Sequence, residues 1–273
     1  VLSPAGMKEN FPRLLSLIIP VYRQEKTIEA DLRNVLSELQ FLACPYEVIV
    51  VVDGFDDKSF GRASRVKSEH LRVYGYKTNH GKGYAVRFGM AKSKGDAVGF
   101  LDAGGDIHIG SLIMMLEHFR WYNADVIIGS KRHPVSKVTY PLYRKILSFG
   151  YQFLVRLLFD LHIRDSQVGL KIFRRKVLED VMPRLLVKQY AFDIEILAVA
   201  NYLGYKRIYE SPVELDFRGY SSIATRGFWN VIYRMLWDTA AVFYRLRILH
   251  YYDDLNKRKW RFDPELNFRV NVG

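Results

Sequence analysis

Short apolar runs alternate with amphipathic segments along the first half of the chain. A run of roughly four to eight apolar residues bounded by polar residues or glycine is typical of a buried strand, whereas apolar residues at every third or fourth position indicate a helix. The predicted strands cover residues 14–19, 46–52, 73–76, 97–101 and 126–129, and the predicted helices cover residues 27–39, 84–93 and 111–121. This alternation predicts an α/β fold built on a mostly parallel sheet.

The pattern changes after Gly129. Residues 140–161 are predicted to form a long apolar helix, residues 165–175 a polar segment that leads into a strand, residues 192–203 an amphipathic helix and residues 209–217 a final strand. From about residue 227 onward, aromatic and basic residues interleave at helical spacing, which is typical of a helix that lies on a membrane surface. A tail helix packed on its own domain or on a second subunit would show the same pattern. We therefore divide the chain into residues 1–222, one α/β domain, and residues 223–273, a helical tail.

Two carboxylates follow the predicted strand at residues 97–101. Asp102 comes directly after the strand, and Asp106 follows after one alanine and two glycines. Ligands of open α/β sheets bind at the carboxyl ends of the strands, and Mg²⁺ or Mn²⁺ is commonly held by one or two carboxylates together with phosphate oxygens. The pattern favours a metal and diphosphate site on Asp102 and Asp106. The alternative is that both residues only end the strand and cap the helix that starts near Ser111.

Two further residues are candidates for nucleotide binding. Asp53 ends the second predicted strand, where a carboxylate can accept hydrogen bonds from a base or ribose, although an Asp-Gly turn would also explain it. Lys82 lies in the segment Gly81-Lys82-Gly83. This segment lacks the spacing of a P-loop, which argues against ATP or GTP hydrolysis. A basic loop that touches a diphosphate and a simple helix start both remain open.

Candidate phosphate-binding residues surround the start of the predicted long helix. Arg144 and Ser148 lie four residues apart and therefore share a helix face. An arginine and a hydroxyl beside an apolar helix suit the phosphate of a lipid, and a solvated basic edge of a core helix is the alternative. Lys131, Arg132 and Arg218 are further candidates for contact with an anion, with the same alternative.

Composition narrows the class of partner. The 273 residues carry a formal charge of +12 at pH 7, which favours an anionic partner such as nucleic acid, a membrane surface or a phosphorylated substrate. No nucleic-acid-binding motif accompanies this charge, so nucleic acid is not the expected partner.

Cys44 is the one cysteine, which excludes an internal disulfide or a cysteine-based metal site. The seven histidines show no zinc-ligand spacing, and there is no Gly-x-Ser-x-Gly elbow of a serine hydrolase.

No segment has the roughly 18 uncharged apolar residues that a transmembrane helix requires. The nearest candidate, residues 146–161, contains Arg156 and Asp160. We therefore expect this segment to lie on a bilayer rather than to cross it.

Taken in order, the motifs resemble those of inverting glycosyltransferases of family 2, which have the glycosyltransferase-A fold, and within that family the dolichyl-phosphate and polyprenyl-phosphate sugar synthases. The likeness covers roughly residues 14–222. The segments that carry it are Pro20-Val21-Tyr22-Arg23-Gln24-Glu25, Val51-Val52-Asp53-Gly54, Asp102-Ala103-Gly104, Gly129-Ser130-Lys131-Arg132, Arg144 with Ser148, Asp165-Ser166-Gln167-Val168-Gly169-Leu170-Lys171 and Ala191-Phe192-Asp193-Ile194-Glu195. The last two segments are most similar to the dolichyl-phosphate glucosyltransferase branch.

Three positions depart from the family pattern. Gly104 stands in place of the second aspartate of the metal motif, Val52 in place of one acid of the base-binding turn, and Gln24 where a glutamate is expected. Some relatives have a glutamine that also reaches the metal at the position of Asp106. The resemblance therefore suggests that Asp106 replaces the lost carboxylate.

The resemblance implies transfer of one hexose from a UDP-sugar or GDP-sugar to a dolichyl or polyprenyl phosphate, with inversion at the anomeric carbon. It implies Mn²⁺ or Mg²⁺ on Asp102 and Asp106, with Arg218 assisting the departing diphosphate. The residues expected to contact the nucleotide sugar are Pro20, Tyr22, Glu25, Asp53, Lys82, Asp102, Ala103 and Gln167. The residues expected to contact the acceptor phosphate are Lys131, Arg132, Arg144 and Ser148.

The sugar, the assembly and the exact activity stay open at this point. The glucosyltransferase-like segments favour UDP-glucose, and GDP-mannose and UDP-N-acetylglucosamine are alternatives, as is a homo-oligomer. We expect the apolar helix and the tail to hold the protein peripherally on the cytoplasmic face of a membrane. One rival activity is elongation of a polysaccharide or lipid-linked glycan, ranked lower because the Gln-x-x-Arg-Trp motif is absent. The other is a catalytically silent nucleotide-sugar binder or membrane scaffold, which Gly104 suggests.

Overall fold

A computed structural model describes residues 12–104, 107–136, 142–187, 191–215, 228–253, 260–264, 266 and 268–271. Seven strands form the main sheet: β1 (Leu15–Val21), β2 (Tyr46–Asp53), β3 (Leu71–Tyr76), β4 (Ala97–Leu101), β5 (Val126–Ser130), β6 (Leu170–Arg174) and β7 (Ile208–Pro212). A separate antiparallel pair consists of β8 (Trp260–Asp263) and β9 (Phe268–Asn271).

The helices are α1 (Ile28–Leu39), α2 (Ser59–Ala63), α3 (Lys82–Lys92), α4 (Gly110–Trp121), α5 (Leu142–Phe159), α6 (Arg175–Val181), α7 (Phe192–Tyr202) and α8 (Phe228–Phe243). A 3₁₀ turn, Met182–Arg184, follows α6, and a π-helical segment, Tyr244–Ile248, continues α8. Within the described ranges, no helix is both long enough and apolar enough to span a bilayer.

The strand order of the main sheet is β3-β2-β1-β4-β6-β5-β7. Strand β1 pairs in parallel with β2 and β4, and β5 pairs in parallel with β7. Strand β6 runs antiparallel to both of its neighbours, β4 and β5. The prediction of a mostly parallel α/β sheet is thus confirmed. The carboxyl ends of β1, β2 and β4 meet at one edge, where the chain also enters β6.

Alternate residues of β1 face opposite sides of the sheet. Leu17 packs in the apolar layer that α1 and α4 cover, and Ile18 packs in the layer that α3, α5 and α7 cover. Both side chains are fully buried. A strand covered on both faces explains the unbroken apolar run in the sequence.

The tail packs on the layer that contains Ile18. Val242, Leu246 and Tyr252 are buried there, together with residues of α5 and α7. Burial of these side chains stabilises the docking of α8 by the hydrophobic effect. The domain boundary after residue 222 stays a prediction, because residues 216–227 lie outside the described part of the chain.

Helices α1, α3, α4, α5 and α7 begin and end within two residues of their predicted positions. The predicted final strand at residues 209–217 is wrong in its extent, because β7 already ends at Pro212 and Leu215 forms only an isolated bridge to Ile107. Helices α2 and α6 are absent from the predicted elements. With five and seven residues, each is too short for a helical period to stand out in the sequence.

Candidate active site

The carboxyl ends of β1, β2 and β4 open onto a cleft of about 640 Å³. The cleft is lined by Pro20, Val21, Tyr22, Gln24, Asp53, Asn79, Gly81, Lys82, Asp102, Ala103, Gln167, Asp193 and Arg234. It therefore contains every residue predicted to contact the nucleotide sugar except Glu25. The position agrees with the general rule that ligands of open α/β sheets bind beyond the carboxyl ends of the strands.

The ammonium group of Lys82 lies between two carboxylates in this cleft. Its Nζ atom is 2.8 Å from Oδ1 of Asp102 and 3.0 Å from Oδ2 of Asp193. Burial alone would lower the pKa of Lys82, but the two carboxylates raise it above its usual value. The lysine is therefore a permanent positive charge at the centre of the cleft.

A second lysine holds Asp193 from the opposite side. Lys171 comes from the middle of β6, its side chain is 2% exposed, and its Nζ atom donates to Oδ1 of Asp193 and to the carbonyl of Val168, each at 2.6 Å. Burial lowers the pKa of Lys171. Burial would raise the pKa of Asp193, but Lys171 and Lys82 together bring it down to about 2. Asp193 is thus ionised at neutral pH and fixed by two charge-assisted hydrogen bonds.

Gly169 leaves room for the carboxylate of Asp102. Asp102, which follows β4, and Gly169, which precedes β6, face each other across the antiparallel pair. The backbone N–H of Asp102 donates to the carbonyl of Gly169 at 2.8 Å. A Cβ atom at position 169 would overlap the carboxyl group of Asp102. The glycine is therefore required by close approach of a side chain.

The carboxylate of Asp53 organises the loop that leads into α3. Asp53 is 3% exposed and accepts hydrogen bonds from the backbone N–H groups of His80 (2.7 Å) and Gly81 (2.9 Å) and from Nδ2 of Asn79 (3.0 Å). These bonds fix the residue before Lys82. The contact of Asp53 with a base or ribose stays a prediction. The structure adds that Asp53 shapes the loop before α3.

The segment after β1 is tied to the loop after β2. The hydroxyl of Tyr22 donates to Asp56 at 3.1 Å, and Glu25 accepts from the backbone N–H of Lys58 at 3.1 Å. Tyr22 still lines the cleft, whereas the structure does not bring Glu25 into it. Burial and the hydrogen bond to Asp56 raise the pKa of Tyr22.

Two of the predicted acceptor-phosphate residues are brought together outside this cleft. The guanidinium of Arg132 donates to the hydroxyl of Ser148 and to the carbonyl of Arg164, and it lies 4.3 Å from the centre of the Phe149 ring. The backbone N–H of Lys131 donates to Asp165 at 3.2 Å. Ser148 and Phe149 belong to α5, so Arg132 lies at the edge of an apolar helix.

The positions of three predicted site side chains lie outside the described part of the chain. Asp106 and Arg218 lie outside the described residues, and Arg144 lies in α5 with a side chain that is outside them. Among the residues that the structure describes, no cluster of three or more His, Cys, Asp or Glu side chains could hold a metal ion. Asp102 and Asp193 nevertheless converge on one cation, the Lys82 ammonium. Two carboxylates with phosphate oxygens are an ordinary ligand set for Mg²⁺.

The replacement of an aspartate by Gly104 has a local explanation. Gly104 has a φ of +122°, a conformation that residues with a Cβ rarely adopt. Among the described residues other than its chain neighbours, none has an atom within 4 Å of the place where a Cβ would stand. An aspartate at this position would therefore be disfavoured by the backbone rather than by a neighbouring side chain.

Sequence reasoning gave no role to Lys171, Asp193 or Arg234. A charged residue within the apolar strand Leu170–Arg174 was a usable signal for Lys171, because a buried ammonium requires a partner. The segment with Asp193 was recognised only by resemblance. Arg234 gave no signal, since nothing in the sequence indicates that the tail reaches the cleft.

A sequence profile described as "Glycosyl transferase family 2" matches residues 16–182. The chain is 34% identical over 212 residues to a dolichyl-phosphate beta-glucosyltransferase of Drosophila melanogaster, a match that covers 71% of this chain and 65% of that protein. It is 31% identical over 226 residues to a dolichyl-phosphate beta-glucosyltransferase of Homo sapiens, covering 74% of this chain and 69% of the human protein. The chain thus spans about two thirds of the length of these relatives.

The fold is shared with solved glycosyltransferase structures. Glucosyl-3-phosphoglycerate synthase from Mycobacterium tuberculosis matches with a TM-score of 0.65 at 16% identity, over 100% of this chain and 94% of that chain. The same enzyme in complex with Mn²⁺, UDP-glucose and phosphoglyceric acid matches with a TM-score of 0.62 at 17% identity, over 98% and 88% of the two chains. The expected glycosyltransferase-A-like fold is thereby confirmed. The profile match and the identity to the fly and human proteins together show that the chain belongs to glycosyl transferase family 2.

Proposed function

We propose that this protein transfers glucose from UDP-glucose to a dolichyl or related polyprenyl phosphate, with inversion at the anomeric carbon. The observation that carries the proposal is the cleft in which Lys82 lies between Asp102 and Asp193, at the carboxyl edge of a family 2 sheet. The fly and human relatives named above are dolichyl-phosphate beta-glucosyltransferases. Their names favour glucose and dolichyl phosphate over the other sugars and acceptors.

The residues of the cleft suit a reaction that needs positioning and charge more than a base. The bond between the anomeric carbon and the diphosphate oxygen breaks, and a bond from an acceptor phosphate oxygen forms on the opposite face of the sugar. Lys82 supplies positive charge where the departing diphosphate gains negative charge. A divalent ion such as Mn²⁺ or Mg²⁺, when bound, supplies further charge of the same sign. Asp102 would hold it, and Asp106 is the second ligand proposed from the sequence.

The state of Asp193 favours a phosphate acceptor over a sugar hydroxyl. An acceptor phosphate is already ionised at neutral pH, whereas a hydroxyl acceptor requires a general base whose pKa lies near the working pH. The two lysines keep the pKa of Asp193 at about 2, so this carboxylate is a weak proton acceptor. A lipid phosphate is therefore a better acceptor for this cleft than the hydroxyl of a growing polysaccharide.

We further propose that two adjacent helices rest on a membrane. Phe149, Phe153 and Leu157 of α5 recur every fourth residue and are 57%, 72% and 71% exposed. Tyr233, Leu236 and Trp237 of α8 are 63%, 40% and 66% exposed. We call these six residues the apolar surface. A surface of this kind on a chain with a charge of +12 suits a bilayer with anionic lipids, as on a cytoplasmic leaflet.

The test is glucose transfer by the purified protein. Radiolabelled UDP-glucose and dolichyl phosphate in detergent or vesicles are incubated with Mn²⁺ or with EDTA, and the label in the organic extract is counted. We expect lipid-linked label from UDP-glucose and much less from GDP-mannose or UDP-N-acetylglucosamine. Binding of UDP-glucose without any labelled lipid would instead favour the silent binder that Gly104 suggests.

A further inference from the structure

Arg234 brings a positive charge from the tail into the cleft. It belongs to α8, about forty residues beyond Asp193 in the chain, and it lines the same cleft as Lys82, Gln167 and Asp193. The arginine is exposed. Within the part of the chain that the structure describes, its guanidinium forms no hydrogen bond or salt bridge. An arginine fork of this kind is well suited to bind a phosphate with two parallel hydrogen bonds.

The helix that carries Arg234 is fixed to the rest of the protein. The hydroxyl groups of Tyr151 in α5 and Thr239 in α8 lie 2.9 Å apart in a buried contact. Further along the tail, Val242 and Leu246 are buried. These contacts hold α8 against α5 and therefore keep the side of α8 with Arg234 at the cleft.

A buried carboxylate secures the end of the tail. Glu195 is fully buried and accepts hydrogen bonds from the hydroxyl of Tyr252 at 2.7 Å and from the guanidinium of Arg245 at 3.3 Å. It also accepts the backbone N–H of Val187 at 2.8 Å. Glu195 lies in the first turn of α7, two residues after Asp193. The tail is thus anchored to the same helix turn that supplies an acid to the cleft.

Arg234 enters the cleft on a helix that contacts the helix of Asp193. Helix α8 packs against α5 and α7, and Asp193 lies in the first turn of α7. Pro20 and Asp53, which are predicted to bind the nucleotide, line the cleft from β1 and β2. A nucleotide that extends over β1 and β2 would leave Arg234, on α8, to the acceptor.

The apolar surface begins on the same helix. Tyr233, Leu236 and Trp237 share one face of α8 because they are spaced by three or four residues. Arg234 lies three residues before Trp237 and is therefore its neighbour on the helix surface. A lipid whose chain lay along the apolar surface would therefore carry its phosphate to Arg234. The juxtaposition matches a molecule with an anionic head and an isoprenoid chain.

We propose that Arg234 binds the phosphate of the acceptor lipid and holds it in the cleft that Asp193 also lines. This inference rests on the proposed function, since it names the residue that receives the acceptor of that reaction. Arg234 is an acceptor-binding residue in addition to those predicted from the sequence. Lysine at the same position would keep the charge but lose the two parallel hydrogen bonds.

The test uses a short, water-soluble acceptor, geranyl phosphate, so that binding to a membrane does not contribute. Arg234→Ala and Arg234→Lys are compared with the unsubstituted chain and with Arg247→Ala, which removes an exposed arginine from the same tail. We expect Arg234→Ala to raise the KM for geranyl phosphate by about 10- to 100-fold. The KM for UDP-glucose should change by less than about twofold. Arg234→Lys should fall between, and Arg247→Ala should match the parent.

Binding of geranyl phosphate to the UDP-loaded protein, measured by calorimetry, separates the inference from the proposed function. If the parent binds geranyl phosphate but transfers no glucose, while Arg234→Ala binds it more weakly, the proposed function is wrong and the inference stands. Equal binding by the parent and by Arg234→Ala would overturn the inference. An equal rise in KM for donor and acceptor would also overturn it, because the arginine would then act on the donor or on the fold.

Discussion

The Nζ atom of Lys82 lies 2.8 Å from a carboxylate oxygen of Asp102. The same nitrogen is 3.0 Å from Asp193, so one tethered ammonium occupies the point where two carboxylates converge. A divalent cation would be attracted to the same point, and a diphosphate would be attracted to the ammonium itself. We therefore expect Lys82 to compete with a free metal ion and to cooperate with a nucleotide.

Lys82→Met is therefore expected to have opposite effects on two ligands. Without the ammonium, Asp102 and Asp193 attract Mn²⁺ more strongly, and we expect affinity for Mn²⁺ alone to rise by about tenfold. Affinity for UDP should fall by about tenfold or more, because the diphosphate loses its contact with the positively charged ammonium. Electron paramagnetic resonance of free Mn²⁺ and calorimetry with UDP measure the two effects.

Lys92→Met is the matched control for this substitution. Lys92 is on the same helix as Lys82 but near the Phe88 ring, 5.3 Å from its centre. Its removal should leave both affinities unchanged. A fall in Mn²⁺ affinity in Lys82→Met would show that the lysine supports the metal site rather than competing with it.

Gly169→Ala tests whether Asp102 needs the space that Gly169 leaves. The added Cβ would overlap the carboxyl group of Asp102, so this side chain or the strand end must shift. A shift of about 1 Å in a reacting group can lower a rate by roughly 100-fold, and the crowding should cost about 1–3 kcal/mol in the free energy of unfolding. Steady-state glucose transfer and urea denaturation give the two numbers.

Gly61→Ala provides the comparison for Gly169→Ala. Gly61 lies in α2, and in the described part of the chain no atom beyond its own helix backbone and its neighbours lies within 4 Å of the place of its Cβ. Alanine should leave transfer unchanged and raise the free energy of unfolding by up to about 1 kcal/mol. Activity in Gly169→Ala equal to that in Gly61→Ala would contradict a requirement for glycine at position 169.

The sequence was sufficient to locate Asp53 and Asp102, because strand ends can be read from the apolar pattern and parallel strands end at one edge. Lys82 was singled out from the segment Gly81-Lys82-Gly83 instead. The sequence was not sufficient for the side chains that hold them. Asp193 reaches the cleft from a distant helix, and Lys171 holds it from an antiparallel strand. Their pairing depends on which strand is inserted beside β4. No spacing in the sequence encodes that insertion.

The candidate phosphate residues show the same limit. Arg132 and Ser148 were each singled out, yet their mutual hydrogen bond depends on how α5 packs against the loop after β5. Glu25 was expected in the cleft, but the backbone N–H of Lys58, in the loop after β2, donates to its carboxylate. The position of Arg234 could not be predicted, because it depends on where the tail packs. The interleaved aromatic and basic residues were equally compatible with a membrane, the domain itself and a second subunit.

Asp193 makes the stability of the protein depend on pH. Its pKa in the folded protein is about 2, below the ordinary value of 3.8. A carboxyl group with a lowered pKa stabilises the folded state above its unfolded pKa, and this contribution is lost as the pH falls through the folded pKa. The amount is about 2 kcal/mol.

Asp193→Asn isolates this contribution from those of the other carboxylates. At neutral pH the variant should be less stable by about 3–5 kcal/mol, since Lys171 and Lys82 lose their shared counter-charge. The difference from the parent should shrink by about 2 kcal/mol between roughly pH 6 and pH 2. Urea denaturation across that range measures it. A difference that stays constant with pH would mean that Asp193 has an ordinary pKa in the folded protein.

Tyr252→Phe is expected to loosen the attachment of the tail. Burial and the nearby carboxylate raise the pKa of Tyr252, so its hydroxyl remains a donor to Glu195 throughout the ordinary pH range. Loss of a buried hydrogen bond to a charged group costs about 2 kcal/mol. Tyr244→Phe is the control, since Tyr244 is also in the tail but is 52% exposed. This substitution should change the free energy of unfolding by less than about 0.5 kcal/mol. Equal effects of the two substitutions on urea denaturation would contradict the role of the hydroxyl.

The double substitution Phe153→Ser and Leu157→Ser tests the apolar surface on α5. Both side chains are more than two thirds exposed, so the change should leave the free energy of unfolding nearly unaltered. If these residues enter a bilayer, the affinity for vesicles that contain phosphatidylserine should fall by at least about tenfold, since each buried apolar side chain contributes roughly 1.5–3 kcal/mol. Phe41→Ser removes an equally exposed phenylalanine (71%) at the far end of α1 and should bind vesicles like the parent. Were the parent to remain free of vesicles and sediment as a dimer that the double substitution dissociates, the surface would be the contact with a second copy of the chain.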